Sequence, residues 1–185
     1  MDSDFLISLR TAQALCMEIR PEQVDDIDAV HQVNVRAFGR ENEANLVVRL
    51  RGGVSTFSFV AVKLDRVVGH VLFSPVLIDG ECEGERLVLG LAPAAVMPEH
   101  QGQGIGSLLI QQGLKESARL GAQAIVVVGA PEYYRRFGFR SAKEQGLRCE
   151  YDVPDDSFMV LELVQGTLKN CAGIVKYRPE FSMVE

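Results

Sequence analysis

Residues Val96-Met97-Pro98-Glu99-His100-Gln101-Gly102-Gln103-Gly104-Ile105-Gly106 lie between an apolar run and a helix-periodic run. Glycine at 102, 104 and 106 removes the side chain at every second position, where a backbone must approach a ligand closely or take a positive φ. Successive N–H groups at a helix start form a concave anion site, and the positive end of the helix dipole adds to it. The stretch therefore reads as a phosphate or pyrophosphate cradle. Its plainer alternative is a glycine-rich turn that tightens a strand-to-helix corner. A dinucleotide fingerprint starting at Gly102 would need glycine where Ser107 stands, and no acidic ribose partner occurs from Ala122 to Val128. The G-K-[ST] ending of a P-loop is absent as well.

The flanks give the architecture. Downstream, Ile110, Leu114 and Ala118 recur four apart, with Leu108 and Leu109 beside them, so the spacing predicts a helix over Gly104 to Leu120, closed by Gly121. Ala124 to Val128 is a short apolar strand of the kind buried on both faces. Upstream, Arg86 to Met97 is an apolar strand, and strand, helix, strand of these lengths make a βαβ crossover. Before it, Phe57–Leu64 and Val67–Ile78 are β-branched and aromatic, joined by the hairpin-length Asp65-Arg66, and Asp79-Gly80 reads as a polar turn. Val24, Ile27, Val30 and Val33 form a helical stripe within Gln23–Phe38, and Leu46, Val47 and Leu50 another within Glu43–Leu50, stopped by Gly52-Gly53. Pro131 opens a short helix reaching Arg136, Phe139 begins a strand, and Phe158–Val164 is the last one. An antiparallel meander joined to a βαβ unit is a mixed α+β sheet.

Composition sets outer bounds. A chain of 185 residues suits one domain, and 47% hydrophobic with 24% charged residues is an ordinary globular mixture. A net charge of -6 argues against nucleic acid as a partner, although Arg135-Arg136 is a local basic spot. No run of about 18 apolar residues suggests a membrane partner. Cys16, Cys82, Cys149 and Cys171 are scattered, without C-x-x-C or nearby histidine, so neither a zinc site nor a disulfide framework is expected. Free thiols fit a reducing cytoplasm. Asp2 and Asp4 stand where a signal peptide wants basic residues, and residues 1–16 read as an extension outside the fold. Met17 is then a natural start, because Glu18-Ile19-Arg20-Pro21 reads like a first strand.

Q-x-x-G-x-G at Gln101–Gly106, after the Val-x-Pro strand end at Val96–Pro98, is similar to the coenzyme-A motif of the GNAT acetyltransferase superfamily. Pro131-Glu132-Tyr133-Tyr134-Arg135-Arg136-Phe137-Gly138-Phe139 resembles that family's later motif, a short helix bearing Tyr before a Gly-Phe pair. Gly69-His70-Val71 and Leu89-Gly90-Leu91-Ala92-Pro93 resemble a bacterial branch of N-acetyltransferases, and the order of elements agrees from about Met17 to Val164.

The resemblance implies a mostly antiparallel sheet of six to seven strands flanked by helices, splayed between strands 4 and 5, with the domain spanning 17–165. It implies transfer of acetyl from acetyl-CoA to a primary amine by direct attack, with a small-molecule or peptide amine as acceptor and no metal. A coenzyme-binding sensor or interaction domain without turnover is the other function it allows. Gln101, Gly102, Gln103, Gly104, Ile105 and Gly106 would wrap the pyrophosphate, with Ser107 adding a hydroxyl. Ala95, Val96 and Met97 would bond the pantetheine arm, and a backbone N–H at a bulged strand end would polarise the thioester carbonyl. Tyr134 aligns with the family's general acid and would touch the cofactor. Tyr133 is its rival, expected on the other side of the helix. Glu43 and His70 are the two candidate bases, while His31 and His100 read as surface residues. Gly166–Glu185 is too apolar for a free tail. It has three destinations open to it: the sheet edge, the acceptor pocket, or a second subunit in a homodimer.

Overall fold

The computed structural model describes residues 17–82 and 84–183, so the reading of 1–16 lies outside the described residues. Among the described residues nine strands form the sheet. They are β1 (Glu18–Pro21), β2 (Phe57–Lys63), β3 (Arg66–Glu81), β4 (Val88–Val96), β5 (Ala124–Val128), β6 (Arg140–Ser141), β7 (Leu147–Cys149), β8 (Phe158–Glu162) and β9 (Ala172–Lys176). The main path runs β1-β2-β3-β4-β5-β8-β6, and β9 pairs both β3 and β7. Four α-helices join them: α1 (Ile27–Phe38), α2 (Asn42–Leu50), α3 (Ile105–Arg119) and the short α4 (Pro131–Tyr134). Among the described residues no helix is long and apolar enough to cross a membrane.

The period-2 alternation of the strands sorts their side chains onto two helix layers. Phe59, Ala61, Val71 and Phe73 join Ile105, Leu109 and Ile110 of α3 in one cluster. Val60 and Leu72, one residue out of phase, join Val30 of α1 and Leu46, Val47 and Leu50 of α2 in another. Gly113 sets how closely α3 sits on the sheet, since a Cβ there would lie 2.1 Å from Phe73 Cε2.

The expected βαβ unit and the splay are both present. β4 and β5 pair in parallel only through Val88↔Ala124, Leu89↔Ile125 and Gly90↔Val126. Beyond Gly90, β4 keeps its partner β3 and β5 keeps β8, but the two no longer pair with each other. Between Val71↔Ala94 and Phe73↔Leu91, β4 carries one extra residue at Ala92-Pro93, where the peptide is cis. This bulge turns the second half of β4 away from β5.

Three local expectations are corrected. The hairpin turn is Leu64-Asp65, both at positive φ (52° and 58°), rather than Asp65-Arg66. That geometry matches the right-handed twist of the flanking strands. Asp79-Gly80 is no turn, because β3 runs on to Glu81 and pairs β9. The strand expected from Phe139 shrinks to Arg140–Ser141.

The expectation of four separate thiols is also corrected, since Cys82 and Cys171 form a disulfide with Cα atoms 4.3 Å apart. The cause is register. Glu81↔Ala172 is the terminal pair of β3 and β9, so the residues just outside it stand side by side, although 89 positions separate them in sequence. The final segment lies on the domain: β9 extends the sheet and Phe181, in a 3-10 turn at Pro179–Met183, packs with the α1/α2 cluster.

Candidate active site

The gap between β4 and β5 opens into a cleft of about 490 Å³. The loop Gln101–Ser107 edges it, Gln103 excepted, together with Ala94, Ala95 and Val96 from β4. Gly102 and Gly104 adopt left-handed φ of 72° and 81°, and a Cβ at either would enter open space. The cradle is therefore clear of protein atoms on the side a ligand would approach. Gly104 is the N-cap of α3, so the N–H groups of Ile105, Gly106 and Ser107 have no intrahelical partner. An anion with several oxygens fits this donor set.

Two loop glutamines have different tasks. Gln101 donates from Nε2 to the Val96 carbonyl at 3.0 Å. Gln103 is tied to the loop's outer side, with Nε2 donating to the Glu99 carbonyl and Oε1 accepting from Lys63 at 3.1 Å. Along β4 the backbone groups alternate in direction. The Met97 N–H is committed to the Val68 carbonyl at 2.9 Å, so the N–H and C=O of Val96 and Ala94 point the other way, toward the gap. Met97 does not border the cleft.

A second cleft, of about 630 Å³, opens on the α1/α2 side. Ala94 and Tyr134 line both clefts, so the two meet at the Tyr134 ring. Tyr134 is buried between Tyr133 and Phe139, with ring centroids at 5.1 and 5.7 Å. Burial, and secondarily the neighbouring Tyr133, pushes its phenol up to about 12, so it holds its proton at neutral pH. Tyr133 also lines the first cleft rather than facing away from it. A Cβ on Gly106 would lie 2.7 Å from its hydroxyl, and the Arg136 guanidinium sits 4.5 Å above its ring. It does not reach the second cleft.

The two candidate bases are in very different situations. Glu43 lines the second cleft, is buried, and holds Arg40 at 2.5 Å. His70 is fully buried in β3, behind Ala95. Its Nδ1 lies 3.2 Å from Asn34 Nδ2, which can only donate, so the Nε2 carries the ring proton and faces Glu22 Oε2 at 3.5 Å. That separation is long for a hydrogen bond, and the pair is an electrostatic contact. Burial lowers His70 below the ordinary histidine value and keeps it neutral. Glu22 also accepts from Ser58 and from Arg51 at 2.7 Å. Burial alone would raise its carboxyl, but His70, Ser58 and Arg51 outweigh burial and bring it down to about 2. Asn34 thus occupies Nδ1, Nε2 makes only the electrostatic contact with Glu22 among the described residues, and the residue borders the first cleft. His31 is half-buried on α1, and His100 edges the first cleft.

Sequence reasoning missed Glu22, Asn34 and the ring wall of Tyr151, Tyr177 and Phe181 at the second cleft. Only the apolarity of 166–185 hinted at the last two. Among the described residues no group of three His, Cys, Asp or Glu side chains could hold a metal.

Residues 55–141 match the family model of the acetyltransferase (GNAT) domain. The chain is 35% identical over 168 residues to Uncharacterized N-acetyltransferase YhbS of Escherichia coli (strain K12), covering 90% of this chain and 99% of that protein. It is 36% identical over 135 residues to Uncharacterized N-acetyltransferase YjhQ of the same strain, covering 71% and 74%. The crystal structure of Escherichia coli YhbS in complex with CoA is similar at a TM-score of 0.81 and 34% identity, over 91% of this chain and 93% of that one. A GNAT family acetyltransferase from Brucella melitensis in complex with acetyl-CoA is similar at a TM-score of 0.73 and 33% identity, over 90% and 98%.

Proposed function

This chain belongs to the GNAT acetyltransferase family, and from that premise we propose that it moves acetyl from acetyl-CoA to a primary amine by direct attack. The observation that carries this reading is the meeting of two clefts at Ala94 and Tyr134, one edged by an anion cradle and the other by a buried carboxylate. A donor thioester in the first and an amine in the second would face each other across one tyrosine. The similarity to structures holding CoA and acetyl-CoA supports the donor.

Each residue then has a task. The N–H groups of Gly102 to Gly106 grip the pyrophosphate, and Ser107 adds a hydroxyl at the helix start. The Val96 backbone, once Gln101 yields its carbonyl, bonds the pantetheine arm as an added strand would. Backbone N–H groups near the Ala92-Pro93 bulge polarise the thioester carbonyl, a kind of contact whose loss costs roughly 10²–10³ in rate.

The acceptor enters as an ammonium and must lose a proton before its lone pair is available. Glu43, on the acceptor side, takes that proton directly or through water. His70 borders the donor cleft but does not suit the task, because its Nδ1 lone pair is taken by Asn34 and its Nε2 already carries the ring proton. The nitrogen forms its bond to the carbonyl carbon, the carbon–sulfur bond breaks, the departing sulfur takes the Tyr134 proton, and the second proton lost by the nitrogen passes to water, from which Tyr134 is reprotonated. The products are the N-acetyl amine and the coenzyme A thiol. With its phenol held protonated at neutral pH, Tyr134 has a proton to give as charge develops on the sulfur.

Two measurements test the reading. Calorimetric titration with acetyl-CoA should give one site per chain, and a thiol reagent should detect free coenzyme A when amines are added. Absence of acetyl-CoA uptake by folded protein removes the whole reading. Uptake without thiol release from any amine makes the chain a coenzyme-binding sensor instead.

A further inference from the structure

The walls of the second cleft come from four separate parts of the chain. Tyr151 follows β7, Tyr177 follows β9, Phe181 lies in the C-terminal 3-10 turn and Phe38 ends α1. Tyr177 touches both of its neighbours, with ring centroids 5.8 Å from Tyr151 and 5.0 Å from Phe181, so three rings form one continuous wall. Phe38 is 41% exposed at this cleft and Val128 42%, both large apolar groups left in contact with water. Exposed apolar surface gathered in one concavity marks a place where an apolar body docks.

Charge in the cleft is sparse. Its charged lining residues are Arg40, Glu43 and Asp152. Arg40 lies against both Glu43 oxygens, at 3.1 Å or closer, which neutralises the inner carboxylate and leaves Asp152 as the spare charge at an exposed position. A polyamine or an aminoglycoside brings several ammonium groups, and each one stripped of water needs its own acceptor. One spare carboxylate cannot serve them. A single ammonium on a flat apolar body meets both conditions, and a cleft of about 630 Å³ admits one ring with a short arm with space to spare.

We infer that the acceptor is a small arylalkylamine, an aromatic ring carrying one primary amine on a short chain. The inference rests on the acetyl-transfer reading above. The ring lies against the wall of Tyr151, Tyr177 and Phe181 and is covered by Phe38, while Asp152 draws in the single ammonium and the amine then reaches toward Tyr134 and Glu43. The wall is supplied by the segment after Gly166, so acceptor choice is built into the last part of the chain.

The experiment compares phenethylamine, butylamine, spermidine and kanamycin in one assay of thiol release, after calorimetry has established acetyl-CoA uptake. Phenethylamine should show kcat/KM at least roughly tenfold above butylamine, which has the same reacting group without the ring, and above both polycations. Phe38→Ala should raise the KM for phenethylamine and leave butylamine and acetyl-CoA affinity unchanged. Thermal denaturation of this variant, altered at an exposed position, should match the unaltered chain. Spermidine or kanamycin turning over faster than phenethylamine, with acetyl-CoA bound normally, overturns the acceptor class and leaves the transferase intact. No phenethylamine turnover despite acetyl-CoA uptake overturns it too. Absence of acetyl-CoA uptake overturns the parent reading, and this one with it.

Discussion

Gly129 lies directly against the ring of Tyr134: a Cβ at position 129 would stand 2.3 Å from Tyr134 Cε2. The residue just after β5 thus decides where the tyrosine between the two clefts points. Gly129→Ala should push that ring aside, at a cost of about 1–3 kcal/mol in stability if the site repacks. Turnover should fall while acetyl-CoA affinity holds. Thermal denaturation and single-turnover kinetics on the same preparation check this, and unchanged kcat would mean the ring's position is not critical.

Tyr134→Phe removes only the hydroxyl and keeps the packing with Tyr133 and Phe139. It should lower kcat by roughly 10²-fold or more, the range for loss of a positioned acid, without weakening acetyl-CoA. Tyr133→Phe should leave kcat near normal, because Tyr133 does not line the acceptor cleft. The reverse ranking would transfer the acid role to Tyr133.

Gly104→Asp adds a negative charge and a side chain to the N-cap of α3, at φ 81°. Acetyl-CoA affinity should drop by roughly tenfold or more, which is 1.4 kcal/mol. Gly104→Ala, which brings the backbone strain alone, about 1–2 kcal/mol, should lose stability more than affinity. Calorimetry on both variants separates charge from strain. Normal affinity in the Asp variant would place the pyrophosphate elsewhere.

Glu43→Gln should reduce kcat, with acetyl-CoA affinity intact. Its partner Arg40 is half exposed and remains solvated after the change. His70→Gln should act on stability instead, because it removes a fully buried ring and the contacts that ring makes with Asn34 and Glu22. A kcat loss in the His70 variant, with none in the Glu43 variant, would exchange their roles.

Acid should destabilise the fold through two groups acting in the same direction. Glu22 falls from an ordinary 4.5 to about 2 in the folded chain. Its contribution is present above pH 4.5, on the order of 3 kcal/mol, and is lost as pH falls toward 2. His70 is also lowered, so the unfolded chain binds its proton more readily and stability declines as pH drops below 6.5. Chemical denaturation of Glu22→Gln and of the unaltered chain should give curves that differ at pH 7 and converge near pH 2. Parallel curves would remove Glu22 as the acid-sensitive group.

The sequence by itself determined the elements and the cradle. Short-range periodicity specifies α1, α2 and α3, because one face of each must be apolar for its length. Alternation and β-branching specify β2 to β5 for the same reason. Glycines at 102 and 104 declare a left-handed backbone that few other residues accept, and Pro131 declares a helix start. What depends on contacts between distant positions was decided only in three dimensions. Cys82 meets Cys171 through the register of β3 and β9, His70 meets Asn34 of α1 and Glu22 just after β1, and Tyr151, Tyr177 and Phe181 become one wall only after β7 and β9 pair. Local pattern encodes which face of an element is apolar. Which element that face will meet is set by burial summed over the whole chain, and no single stretch of residues contains that sum.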